Sequence, residues 1–297
     1  MPHIAVLGSI NMDLVAYVER APQRGQTVTG REFRTVPGGK GANQAIAAAR
    51  AGATVSMIGA VGNDGFGVRM RDTLEHSGVD TDSLRTVEGP SGTAHIVVDD
   101  EGGNAIVVIP AANGTVDHLS PGDEAVIATA DALLLQLEIP LDGVLAGAQA
   151  ARRHGVRTVL TPSPARPLPP ELLASTDLLV PNEHEAALLT GRADPREAAL
   201  ALLDQVPEVV VTLGEAGSLY LTRDAEPLMI PAPRVTTVDS TGAGDTFVGV
   251  LAVALAEERP IREALTWAVA AATISVQREG ASSSMPYRPE IEAQYTT

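Results

Sequence analysis

The chain has 297 residues, 44% of them apolar but only 3% aromatic, so any sizeable core must be built from Ala, Val, Leu and Ile. A net charge of -16 would repel a polyanion, which argues against a nucleic-acid partner, although backbone amides and a metal ion can still hold phosphate locally. The sequence has no cysteine, which excludes disulfides, thiol catalysis and thiolate metal sites and suits a reducing cytoplasm.

His3–Leu7 is a short apolar run, too short for a signal-peptide core, and reads as a buried first strand. Gly8-Ser9-Ile10-Asn11-Met12-Asp13 follows it and lacks the third glycine of a dinucleotide fingerprint. In extended backbone Asn11 and Asp13 share a face, where an amide and a carboxylate can grip neighbouring sugar hydroxyls; an Asx turn is the plainer alternative. Residues 14–35 read as short strands broken by Pro22, Gly25 and Gly30. Pro37-Gly38-Gly39-Lys40-Gly41-Ala42-Asn43-Gln44 then opens an Ala-rich helix running to about Arg50. It is not a Walker A loop, because the spacing is wrong and no Ser or Thr follows the Lys. Either a sugar lies against these glycines with Lys40 and Asn43 bonding to it, or the segment is a tight turn with an exposed Lys.

Residues 54–59 suggest a strand, 66–77 a helix, and 93–109 a hairpin around a Gly-rich turn. The hairpin and the 14–35 strands interrupt an alternating β/α pattern, and are expected to form a small sheet acting as a lid, made by about 12–37 and 91–112 within a single 1–297 domain. From Asp131 the alternation is regular: strands at 132–137, 156–160, 177–180 and 209–213, a short β unit from Gly217, and helices at Leu141–His154, 182–189, 195–204, 244–258 and 261–277. Repeated βα units imply an α/β fold with a doubly wound, mostly parallel sheet carrying helices on both faces. Ligands bind such sheets beyond the carboxyl ends of the strands. Asn11, Asp13, Glu138, Asn182, Glu185, Thr212 and Gly214 all fall at that edge.

Asp239-Ser240-Thr241-Gly242-Ala243-Gly244-Asp245 is a second glycine-rich entry into an apolar helix. Small residues admit a ligand to the backbone, and free amides at a helix start favour an anion. A carboxylate beside them can take a hydroxyl proton, the arrangement phosphoryl transfer needs. The alternative is that Asp245 merely caps the helix. Its place near a helix N-terminus also predicts a lowered pKa.

In this order and spacing, the motifs at Gly8–Asp13, Gly38–Gln44, Gln136–Glu138, Pro181–Glu185, Thr212–Gly214 and Gly242–Asp245 resemble the PfkB family of carbohydrate kinases over nearly the whole chain, within its ribokinase group. The resemblance implies a ribokinase-like fold and transfer of phosphate from ATP to the 5-hydroxyl of D-ribose. It implies Asp245 as base, with Gly242, Ala243 and Gly244 as the anion hole. It implies Asn11, Asp13, Gly39, Lys40, Asn43 and Glu138 on the sugar, and Asn182 with Thr212, Leu213, Gly214, Glu215, Ala216 and Gly217 on the nucleotide, which Gly244 also touches. Glu185 would act on Mg2+ through water, and Asp239, Thr241, Ser275, Arg278, Gly280 and Ser284 would form a monovalent-cation loop, with K+ as the expected ion. Three positions depart from the family pattern: Thr161 for an Asn, Val269 for a polar residue beside the adenine, and Ser240 for a Thr. Expected alternatives are another acceptor (2-deoxyribose, a ketohexose or adenosine) or a non-catalytic sugar sensor. The apolar alternation of the lid, as at Ile96 and Val98, predicts a homodimer formed through it.

Overall fold

The computed structural model describes residues 1–295. Among these, ten strands form the central sheet. From one edge to the other run Leu228–Ile230, Ser218–Thr222, Glu208–Thr212, Leu178–Leu179, Arg157–Leu160, Ala132–Leu135, His3–Leu7, Thr54–Gly62 and Val79–Asp80, with Leu84–Val87 also paired to Thr54–Gly62. Only the two pairings at the Leu228–Ile230 edge are antiparallel.

The apolar runs follow from this arrangement, because a parallel sheet is covered on both faces. Along His3–Leu7, Ile4 and Val6 enter one core while Ala5 and Leu7 enter the other. Along Ala132–Leu135, Ala132 and Leu134 join the first core, and Leu133 and Leu135 the second. The first core is completed by the helices Lys40–Arg50, Ala243–Ala256 and Ile261–Ser275. With so few aromatics, the helices interlock through small residues: a Cβ added at Gly249 would lie 2.7 Å from the Ala47 Cβ and from the Gln44 carbonyl oxygen. Trp267, the single tryptophan, is wholly buried, with the Arg259 guanidinium 4.3 Å and that of Arg288 5.4 Å from its ring centroid.

The strand order places the topological switch between His3–Leu7 and Ala132–Leu135, which are neighbours in the sheet but whose connections depart in opposite directions. A crevice opens at the carboxyl ends of two such strands. The strand expected through Leu137 stops at Leu135, and the Leu137 amide turns to the Ser163 carbonyl at 3.0 Å. Gln136 and Glu138 therefore leave the sheet at the crevice.

A second, four-stranded sheet runs in the order Glu32–Gly38, Asn11–Tyr17, Gly92–Val98, Asn104–Ile109. Its middle pair is parallel and its outer pairs antiparallel. Every residue of Asn104–Ile109 is exposed. The helices Pro121–Ala128 and Arg288–Tyr295 were not expected. The first carries a Ser120–Asp123 capping box, a start signal present in the sequence.

Candidate active site

Three segments converge at the switch point: the link after His3–Leu7, the mouth of helix Lys40–Arg50, and the mouth of helix Ala243–Ala256. Their close approach requires glycine. A Cβ at Gly41 would lie 2.7 Å from the Ser9 backbone, and one at Gly39, whose φ is +93°, 2.7 Å from the Asn11 amide. Gly39 offers helix Lys40–Arg50 no side-chain cap, and Glu138 serves instead. Its Oε2 accepts from the Lys40 amide at 3.1 Å and from the Ser9 hydroxyl at 2.5 Å. Gly38 makes room for Asp13, since a Cβ there would sit 2.3 Å from Asp13 Oδ2.

Asn11 is fixed by a residue the sequence did not single out. Asn113 donates to Asn11 Oδ1 at 2.8 Å, donates to the Ile10 carbonyl and accepts from the Ile10 amide. Asn11 and Asp13 belong to a regular strand of the small sheet, which removes the Asx-turn alternative. Lys40 is not the exposed lysine of a turn. Burial works to lower its pKa, but the carboxylates of Asp245, Glu138, Glu185 and Asp13 outweigh burial and hold it above its ordinary value. Asp13 is pushed up from 3.8 to about 7, first by burial and then by Glu138 and Asp245, against the pull of Lys40.

Asp245 does not cap its helix. Gly242 is the N-cap, in the left-handed region at φ +74° and with no side-chain bond, so Asp245 stands three residues inside. Its carboxylate accepts from Asn43 Nδ2 at 3.0 Å and from Gln44 Nε2 at 3.1 Å. The lowered pKa expected from the helix start is not found. Burial drives the Asp245 carboxyl up, more than Lys40, Asn43 and Gln44 draw it down, with Glu138 adding to the rise. The helix start leaves most of its own donors unpaired. Among the described residues the amides of Gly242, Gly244 and Asp245 have no acceptor, as expected of a first turn. Of the three residues expected to form the anion hole, Ala243 turns its amide back to the Ser240 carbonyl at 3.2 Å.

Two cavities meet here. One of about 220 Å³ is lined by Lys40, Asn182, Glu185 and Asp245. The other, of about 700 Å³, lies between Gly214–Ala216, the 232–237 segment and the apolar wall of Val269, Ala272 and Val276. Thr212, Ser240 and Gly244 line both. A Cβ at Gly244 would meet no protein atom within 4 Å, so this backbone faces open space at the junction. Glu215 and Gly217 line the larger cavity, while Leu213 packs its side chain toward the core on the other face of the sheet. Asn182 and Glu185 form a reciprocal capping box at 2.8 and 2.9 Å, which aims both at the smaller cavity.

No group of three or more His, Cys, Asp or Glu side chains able to hold a metal ion occurs among the described residues. One carboxylate, that of Glu185, on the wall of the smaller cavity does fit Mg2+, which is commonly held by one or two carboxylates together with substrate phosphates. In the proposed cation loop, Asp239 accepts from the Thr241 amide and hydroxyl and from the Gly280 amide. Burial alone would raise its pKa, but these bonds hold its carboxyl below the ordinary value. The Ser275 and Ser284 hydroxyls bond to the carbonyls of Ala272 and Ala281, and the Arg278 guanidinium pairs with Glu290. The Arg278 side chain therefore points away from the loop, leaving only its backbone to serve it.

Residues 1–288 match the model of the pfkB family carbohydrate kinases. The ribokinase of Bacillus subtilis is 44% identical over 297 residues, covering 98% of this chain and 99% of its own. That of Schizosaccharomyces pombe is 40% identical over 313 residues, covering 99% and 98%. The structure of Arabidopsis thaliana ribokinase complexed with ribose and ATP superposes with a TM-score of 0.94 at 34% identity, covering 100% of this chain and 99% of that one. The chain belongs to the pfkB family of carbohydrate kinases and is a phosphotransferase of the ribokinase-like fold.

Proposed function

We propose that the protein transfers the terminal phosphoryl group of ATP to the 5-hydroxyl of D-ribose. The observation that carries this reading is a buried carboxylate, Asp245, beside unpaired amides at a helix mouth where two cavities join. The relatives named above supply the sugar and the nucleotide. Asn11, Asp13, Asn43 and Glu138 form a polar cluster suited to a small polyhydroxy ligand, and the Asn43 Oδ1 is a buried acceptor with no protein donor, ready for a sugar hydroxyl.

Asp245 orients the 5-hydroxyl and receives its proton. Its raised pKa suits that task better than an ordinary carboxylate would. The amides of Gly244 and Asp245, with Lys40, hold the charge that develops on the moving group; one such preorganised donor is worth about 3–4 kcal/mol. Mg2+, held by Glu185 through water and near Asn182, would neutralise phosphate charge when bound. The 239–241 and 275–284 segments are the place for K+. The reading expects a cytoplasmic enzyme, where ATP is available, and a homodimer that covers the exposed face of the small sheet while the other face covers the sugar.

Turnover of ribose, 2-deoxyribose, fructose and adenosine by the purified protein and its Asp245→Asn variant tests this. Ribose is expected to be the preferred acceptor, and the variant to lose about 10²–10⁴ in kcat. No transfer to ribose overturns the reading. Sugar binding without transfer in either protein would make it a sensor.

A further inference from the structure

Buried behind Asp245 is a chain of side-chain amides for which the reaction described above gives no role. Gln44 Nε2 donates to Asp245 Oδ1 at 3.1 Å and to the Thr161 hydroxyl at 3.2 Å. Gln44 Oε1 accepts from Gln136 Nε2 at 2.7 Å. Gln44 and Gln136 are both wholly buried.

The direction of the chain is fixed from one end. An ionised carboxylate only accepts, so Gln44 must present its NH2 to Asp245. Its oxygen then faces Gln136, which must present its own NH2. That choice leaves Gln136 Oε1 buried without a partner. The orphaned oxygen lies over the bare Cα of Gly8, where an added Cβ would be only 2.0 Å away. A buried acceptor without a donor keeps the full penalty of its lost hydration. Gln136 therefore spends its hydrogen bonding on fixing Gln44 rather than on satisfying both ends of its own amide. Such local violations of good packing concentrate where function is served.

We propose that Gln44, locked by Gln136 and Thr161, is a positioning residue that sets the orientation of the Asp245 carboxylate toward the acceptor hydroxyl. Asn43 holds one carboxylate oxygen and Gln44 the other, so neither can swing without breaking a bond. Gly249 supports the same geometry by letting the Asp245 helix approach the Gln44 backbone. Thr161 fits the scheme because its hydroxyl takes the second Gln44 proton. The inference rests on Asp245 being the base.

The test is a kcat–pH profile with ribose and ATP for Gln44→Leu, Gln136→Leu and the double variant Gln44→Leu/Asp245→Asn. Lys40, Glu138 and Asp13 face Asp245 from the neighbouring segments and Glu185 shares its cavity, and all four stay in place. For Gln44→Leu we expect kcat to fall about 10–100-fold with the ribose KM within about threefold, a size set by misplacement of a reacting group by about 1 Å. The acid limb of the profile should move to higher pH, because a donor to the ionised form is gone. Gln136→Leu leaves every contact of Asp245 chemically intact and should show the same pattern at roughly 3–10-fold, so it carries the test if Gln44→Leu does not fold. In the Asp245→Asn background Gln44→Leu should change residual transfer by less than about twofold, since both act through one group. An unchanged kcat in Gln44→Leu and Gln136→Leu, or a full multiplicative loss in the double variant, overturns the inference. Wild-type transfer by Asp245→Asn alone would overturn the base assignment instead.

Discussion

Gly249 lies against Gln44 so closely that the smallest added side chain would stand 2.7 Å from the Gln44 carbonyl oxygen. Both helices are buried there, so neither can give way without moving the other. Gly249→Ala is therefore expected to destabilise the fold by about 1–3 kcal/mol through overpacking. It should also lower kcat, because Asp245 sits one turn away on the same helix. Urea unfolding and steady-state kinetics check both; an unchanged midpoint would refute the tight contact.

Gly244 makes the opposite case. A Cβ there meets nothing, and the residue does not adopt a positive φ. Gly244→Val should fold with nearly the wild-type midpoint yet raise the ATP KM by about tenfold or more, since its side chain would enter the space where the two cavities join. Nucleotide binding by calorimetry on the variant is the measurement, and wild-type affinity would contradict it.

Asp13 predicts a pH dependence of the ligand-free protein. Its folded-state pKa of about 7 stands above the ordinary 3.8, so between these values the folded chain holds a proton that the unfolded chain has released. The Asp13 contribution to stability is then fully present below pH 3.8, declines as pH rises, and levels off above about 7. Asp13→Asn should gain on the wild type through that window in urea midpoints taken pH by pH. Parallel curves would show that Asp13 titrates normally.

Much of this site was legible in the sequence, and the reason is topological. The motifs stand at carboxyl ends of strands, so placing the strands placed Asn11, Glu138, Asn182 and Thr212 on one edge. What escaped notice depends on distance along the chain. Asn113 clasps Asn11 across 102 positions, and Gln136 reaches Gln44 across 92. No local pattern announces either partner. The Asp245 pKa departs from the expectation for a related reason: the helix start is visible in the sequence, but the burial that outweighs it comes from segments folded over it. The Pro121–Ala128 helix differs in kind, since its Ser120–Asp123 start signal is local but its eight residues carry little apolar periodicity.

The exposed edge of the small sheet bears on assembly. Val107 is 60% and Ile106 52% exposed on a strand with one unpaired side. Such edges invite pairing. Sedimentation of the wild type at micromolar concentration should give a dimer, and Val107→Lys should shift it toward monomer without loss of fold. A monomeric wild type would rule out this interface.

The lone tryptophan gives the molecule a built-in optical reporter. Trp267 emits from under two guanidinium groups, one of which, Arg288, begins the C-terminal helix, and its own helix continues to Val269 and Ala272 on the wall of the larger cavity. Its fluorescence, with no second indole to confuse the signal, should follow both the docking of the Arg288–Tyr295 helix and any ligand that enters the larger cavity.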